Sequence, residues 1–224
     1  MKANKPIYNE IKEDELLPQE ETSGKFISSP KIITRSISKR EIYTAFESLD
    51  GWGQYVTGSG TTNTTLGEMV LDTGVTINSI ADRHCEVFLE GDAINFFKNP
   101  YFETAIRLSN STNQIIYVAN GAYDTDCFGF KILNGVLYAL HVKNGTEYTN
   151  GITAVTLTDW NVYKATYVSG NCIKFYINDI LKVTISENMP IATDSLERFR
   201  YYIKNIAAER KYLFSQYLLL NQDL

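Results

Sequence analysis

Between Trp160 and Pro190 the chain sets out three apolar series, each alternating with mainly polar residues. Tyr163, Ala165 and Tyr167 form the first, Ile173, Phe175 and Ile177 the second, and Leu181, Val183 and Ile185 the third. Ser169-Gly170-Asn171 separates the first two, and Asn178-Asp179 separates the last two. Val162, Val168 and Ile180 depart from the alternation near strand ends. A period of two puts successive side chains on opposite faces of an extended strand, so each segment reads as a strand with one buried face. Tight turns between such strands make them antiparallel neighbours.

Similar punctuation recurs along the body. Asp50-Gly51, Gly58-Ser59-Gly60, Asp72-Thr73-Gly74, Asn120-Gly121, Asn134-Gly135, Asn144-Gly145 and Asn150-Gly151 separate short segments rich in β-branched and aromatic residues. Asn-Gly suits the type I′ hairpin turn, whose two central residues both need positive φ. Lys131 to Leu140, centred on Asn134-Gly135, is the clearest hairpin. Closely spaced strands without intervening helices predict an all-β sandwich or barrel. Brief helix is expected only at Asp92 to Phe97 and Ser195 to Arg200.

The first 40 residues differ from the rest. Nine charged side chains and two prolines fall within the first 21 positions. Such a stretch buries too little apolar surface to offset the entropy of ordering it. Ile11, Leu16 and Leu17, then Phe26, Ile27, Ile32 and Ile33, are the apolar points at which this segment can dock on a partner. Residues 1–40 therefore read either as an extended arm or as a flexible tail, and residues 41–224 as the folded body.

Composition removes some functions. A net charge of −5 argues against a nucleic-acid surface, which needs a basic patch. The Arg198–Tyr202 run interleaves basic and aromatic residues, but Glu197 and Glu209 offset its charge. Cys85, Cys127 and Cys172 lack metal-ligand spacing and read as reduced, packed side chains. No apolar signal core follows Met1, and no run is long enough to span a membrane, so synthesis in a cytoplasm is expected.

The Trp160–Ile185 pattern resembles the concanavalin A-like (laminin G-like) jelly roll, in which a Trp-led strand precedes a hairpin of this kind. Phe46 to Trp52 looks like the opening strand and turn of that family, Asn99 to Leu108 like its central strand, and Tyr212 to Leu220 like the closing strand that returns beside the first. The resemblance implies a two-sheet antiparallel jelly-roll sandwich, here with an extended N-terminal arm. It also implies a function class among lectins, glycosidases, adhesion modules and viral structural proteins.

Two constellations bear on chemistry. Glycosidases of this fold carry Glu-x-Asp-x-Glu on one strand, and the nearest match is Glu86-Val87-Phe88-Leu89-Glu90. Alternation turns Glu86, Phe88 and Glu90 to one face, but Phe88 stands where the family has its central Asp. Tyr123-Asp124-Thr125-Asp126 forms the second. Its carboxylates can join backbone carbonyls around calcium, and its ring can stack on a sugar. Trp52, Tyr123, Asp124 and Asp126 are the candidate ligand-binding residues. His84 and His141 stand singly and form no zinc pair. No catalytic residue, metal site or required cofactor is assigned, with calcium the one ion considered.

These readings favour a non-enzymatic assembly protein of a phage virion, namely a capsid-decorating, head-fibre or tail protein. Virion proteins would bind its arm, and it would form a homo-oligomer. A carbohydrate-binding lectin-like module and a glycoside hydrolase or lyase are the alternatives.

Overall fold

A computed structural model describes residues 31–36, 39–74, 84–90, 95–122, 124–191 and 197–223. Sixteen strands build two antiparallel sheets in these residues. The larger sheet runs β1 (Lys31–Ser36), β2 (Lys39–Ala45), β16 (Tyr212–Asp223), β7 (Tyr101–Leu108), β12 (Asn161–Val168), β13 (Cys172–Ile177) and β14 (Ile180–Ile185). The hairpin of β4 (Thr61–Thr65) and β5 (Glu68–Asp72) joins it, with β5 against β16. The second sheet runs β11 (Thr146–Ile152), β10 (Val136–Lys143), β9 (Asp126–Leu133), β8 (Gln114–Ala122), β15 (Glu197–Asn205), β6 (His84–Glu90) and β3 (Gly53–Val56). The architecture is the all-β, two-sheet jelly-roll sandwich that the alternation predicts.

The three series between Trp160 and Pro190 become β12, β13 and β14, paired in sequence order. Tyr163, Ala165, Tyr167, Ile173, Phe175 and Ile177 are all buried on the face turned to the second sheet. Asn178 and Asp179 adopt φ of 51° and 62°, and Asn134-Gly135 adopts 48° and 87°, as a type I′ turn requires. The core between the sheets is aromatic. Phe102 meets Phe199 edge-on at 4.9 Å and Phe130 at 6.1 Å, and Phe130 meets Phe175 at 5.5 Å. Edge-to-face contacts of this kind add to the burial of large rings. A buried polar link crosses the same core: the Thr104 and Tyr201 hydroxyls lie 2.7 Å apart, and Thr104 donates to the Tyr217 carbonyl at 2.6 Å.

Strand β16 holds the larger sheet together. Its first residues pair with β5, its later residues pair with β2, and a bulge between Ser215 and Tyr217 interrupts its register with β7 on the other edge.

Several expectations are corrected. Glu197–Asn205 is a strand, not a helix, because Phe199, Tyr201 and Ile203 alternate into the core at 0% exposure. Only a 3-10 turn, Phe96–Lys98, is helical at the other expected position, where residues 92–94 lie outside the described residues. Asn120-Gly121 and Asn150-Gly151 are not turns, since both lie inside strands, β8 and β11. The pairing of β1 with β2 carries the sheet back to Lys31, within the segment read as the arm. Ile32 and Ile33 are therefore strand positions, paired with Ile42 and Glu41. Ile11, Leu16, Leu17, Phe26 and Ile27 lie outside the described residues.

Candidate functional site

The outer face of the seven-stranded sheet carries the site. Val87 is fully buried on β6, so its neighbour Glu86 points outward. Cross-strand register then sets a single line across six strands. Tyr55 on β3 opposes Glu86, Glu86 opposes Tyr202 on β15, and Tyr202 opposes Tyr117 on β8. Tyr117 in turn opposes Lys131 on β9, and Lys131 opposes Tyr138 on β10. At the usual strand spacing this row is roughly 24 Å long. Tyr55 is 52% exposed, and Tyr117, Tyr202 and Tyr138 are half-buried.

The row is held in place laterally. The Tyr117 and Tyr202 rings pack at 5.7 Å. Lys131 sits 5.3 Å from the centre of the Tyr117 ring and pairs with Glu147 at 2.5 Å, while the Tyr117 hydroxyl donates to Glu147 at 3.3 Å. Burial and the neighbouring Glu147 push the Tyr117 phenol above its ordinary pKa, so it remains a neutral donor. In the next row along the face, Phe88 and Arg200 stand between Gly53 and Ala119, and the Phe88 ring covers Gly53, where an added Cβ would collide with it.

Glu86 is the ionisable centre of the row. Arg200 Nη1 donates to its Oε2 at 3.0 Å, and both side chains are about a tenth exposed. Burial raises the Glu86 pKa and Arg200 opposes that rise, with burial the larger effect. The Phe88 ring, in the position read as the missing central acid, lies 5.5 Å from the Arg200 guanidinium carbon. The side chain of Glu90 is outside the described residues. The described geometry therefore places one carboxyl of the pair on the face and gives it a cationic neighbour.

The residues singled out from sequence do not form one site. Trp52 is 6% exposed and packs in the core on Phe46 at 5.6 Å and Tyr201 at 6.3 Å, so its ring is not offered to a ligand. Asp126 is 3% exposed and its two oxygens accept from the backbone N–H groups of Asn144 and Ile191, each at 3.3 Å. It ties the start of β9 to two loops. Asp124 is exposed, and Tyr123 lies outside the described residues. Among the described residues no three His, Cys, Asp or Glu side chains cluster as metal ligands. His141 is buried against Tyr148, ring centres 5.0 Å apart, and burial lowers its pKa. Cys127 and Cys172 are free and buried. Among the described residues no helix is long and apolar enough to cross a membrane.

Tyr55, Tyr117, Tyr138, Tyr202, Lys131 and Arg200 were not candidates from sequence. The four tyrosines and Lys131 come from five different strands, and only register brings them into line, with Arg200 sharing β15 with Tyr202. A weak signal existed in Arg200 and Tyr202, which share the basic–aromatic run on β15.

No protein-family model and no curated protein matches the chain. Solved structures do. A protein of unknown function from Shewanella oneidensis MR-1 superposes with a TM-score of 0.63 at 13% identity, over 86% of this chain and 90% of that one. A Bacillus licheniformis β-glucanase gives 0.63 at 15% identity, over 80% of this chain and 97% of that one. A botulinum neurotoxin type C structure, described as interacting with two ganglioside molecules, gives 0.55 at 12% identity over 77% of this chain and 44% of its own. The fold is thus the concanavalin A-like jelly roll of β-glucanases. That finding overturns the expectation of a non-enzymatic protein, because the same sandwich serves glycoside hydrolases.

Proposed function

We propose that the chain binds an extended carbohydrate along the tyrosine row of its seven-stranded sheet. The carrying observation is the in-register line Tyr55, Glu86, Tyr202, Tyr117, Lys131 and Tyr138. Tyrosine offers a flat apolar ring for the C–H face of a sugar and a hydroxyl for its rim. A line of such rings suits a linear chain better than a single compact ligand. The fold is shared with a β-glucanase and with a toxin structure described as interacting with ganglioside, and both names support a saccharide ligand.

Cleavage of the bound chain is the second reading. It is favoured by Glu86, which lies within the row with its pKa raised, as a general acid needs. Arg200 and Phe88 weigh against it, since the first stabilises the ionised carboxylate and the second replaces the central acid of the glycosidase motif.

The test begins with a glycan array and mixed-linkage β-glucan, using the full chain. Tyr117→Ala and Tyr202→Ala should each weaken binding about tenfold with the circular dichroism spectrum unchanged. A blank array, or binding indifferent to both changes, would overturn the proposal. Release of reducing ends that disappears in Glu86→Gln would establish the second reading.

A docking role for residues 1–30, with virion proteins as partners and self-association into an oligomer, is a separate proposal. It is checked by a pull-down comparing the full chain with one lacking residues 1–30, which keeps the β1–β2 hairpin. Capture of particle proteins by the full chain alone would support it, and equal capture by both would refute it.

A further inference from the structure

The larger sheet has its own outer face, opposite the tyrosine row. Leu71 and Leu213 point into the core at 0% exposure, so Val70, Asp72, Tyr212 and Phe214 point outward. Register aligns Asn63 on β4 with Val70 on β5, Phe214 on β16 and Arg107 on β7. Between the β4–β5 hairpin and the β16 rings lies a trough of about 410 Å³, within the ordinary range for a small-ligand site.

Its lining combines two kinds of surface. Tyr212 and Phe214, with ring centres 5.8 Å apart and planes 19° apart, form an aromatic wall, and Val70 lies beside them. Asn63 and Thr65 supply neutral hydrogen-bonding groups from the opposite wall. The charges along the trough are already matched. Arg210 Nε reaches Asp72 Oδ1 at 2.9 Å and Oδ2 at 3.1 Å, and Arg107 pairs with Glu68 at 3.7 Å. The Arg107 guanidinium is further held 3.9 Å from the Phe214 ring centre and 5.1 Å from that of Trp160. An anionic or cationic ligand would have to break these pairs, whereas an uncharged polyol can use the hydroxyl and amide groups and the ring edges.

A second observation points to the same place. Leu66, at the tip of the β4–β5 hairpin, lines the trough, is 100% exposed and has φ of +53°. A bulky residue in the left-handed region costs stability, and an apolar side chain fully in water gains none by burial. The fold would be better served by Asn or Gly there, so the leucine reads as a contact residue.

We infer that this trough is a second saccharide site, which takes a short neutral oligosaccharide with Leu66 at its mouth. It lies on the opposite sheet and does not depend on the tyrosine row. The experiment is an NMR titration of the full chain with cellohexaose, maltohexaose and, as an anionic comparison, a heparin hexasaccharide. Saturable shifts at Asn63, Thr65 and Tyr212 with a neutral hexasaccharide are expected. They should persist in Tyr202→Ala and weaken about tenfold in Tyr212→Ala. Should Tyr212→Ala disturb the fold, Asn63→Trp, at an exposed edge position, fills the trough instead and should abolish the shifts. Absence of these shifts with both neutral sugars, or a stronger response to heparin, would overturn the inference. Shifts confined to Tyr117 and Tyr202 would overturn it while leaving the tyrosine row standing.

Discussion

Replacing Arg200 with Met keeps most of the side-chain stem and removes the charge that faces Glu86. The ion pair is 3.0 Å long with both side chains about a tenth exposed, so the carboxylate left behind has little water to turn to. Breaking a buried pair by deleting one partner costs about 3–5 kcal/mol, and the slight exposure here puts the expectation at about 3 kcal/mol. Part of that is the cation–π contact with Phe88, on the order of 1 kcal/mol. Against a domain stability of about 5–15 kcal/mol this is a large loss. Urea denaturation followed by circular dichroism measures it. The loss should depend on pH. Burial already raises the folded pKa of Glu86, and removing Arg200 takes away the charge that opposes that rise. A folded state that binds the proton more tightly than the unfolded chain gains stability as pH falls. The deficit of Arg200→Met should therefore be largest at pH 7 and shrink as pH falls toward the ordinary carboxylate range. In Glu86→Met/Arg200→Met both charges are gone, and stability should return to within about 1 kcal/mol of the parent. A single-variant loss under about 1 kcal/mol at pH 7, or a double variant no better than the single, would refute this account.

Two further changes probe the frame around the sites. Leu66→Asn relieves a left-handed leucine beside Gly67 and creates an Asn-Gly turn, so the urea midpoint should rise by the equivalent of about 1 kcal/mol. Phe102→Ala removes a fully buried ring that meets Phe128, Phe130 and Phe199, and thermal unfolding should register a loss of about 3–5 kcal/mol.

The local parts of this fold could be read from sequence and the non-local parts could not. Alternation in Trp160 to Pro190 gave three strands in their true order because the neighbours in sequence are neighbours in the sheet. Asn134-Gly135 worked as a hairpin signal because β9 and β10 pair with each other across it. Asn120-Gly121 failed for the complementary reason: Gly121 has φ of +102° but β8 continues to Ala122, opposite Asp126. The start of β15 has the look of a short helix in sequence although Phe199, Tyr201 and Ile203 alternate, because their arginine and lysine neighbours obscure the apolar period. Trp52 looked like a ligand-binding ring on a turn, but nothing in a single sequence reveals that Phe46 and Tyr201 enclose it. The tyrosine row is the extreme case. Tyr55 and Tyr202 flank the same glutamate from positions far apart in the chain, and register alone joins them.

Strand β16 has a consequence for how the molecule assembles. It is the common neighbour of β2, β5 and β7, so without it the larger sheet falls into three separate pieces: β1–β2, β4–β5 and β7–β12–β13–β14. The β1–β2 and β4–β5 hairpins and the β12–β13–β14 run close over short stretches of chain and can form early, whereas β7 meets β12 only across residues 109–160. Joining them must wait for residues 212–223 to find partners as distant as residues 39–45. Long-range closure of this kind makes folding slow. Until it happens, three sets of unpaired strand edges stand open to the wrong neighbours, and the aggregation risk of this protein is concentrated in that interval.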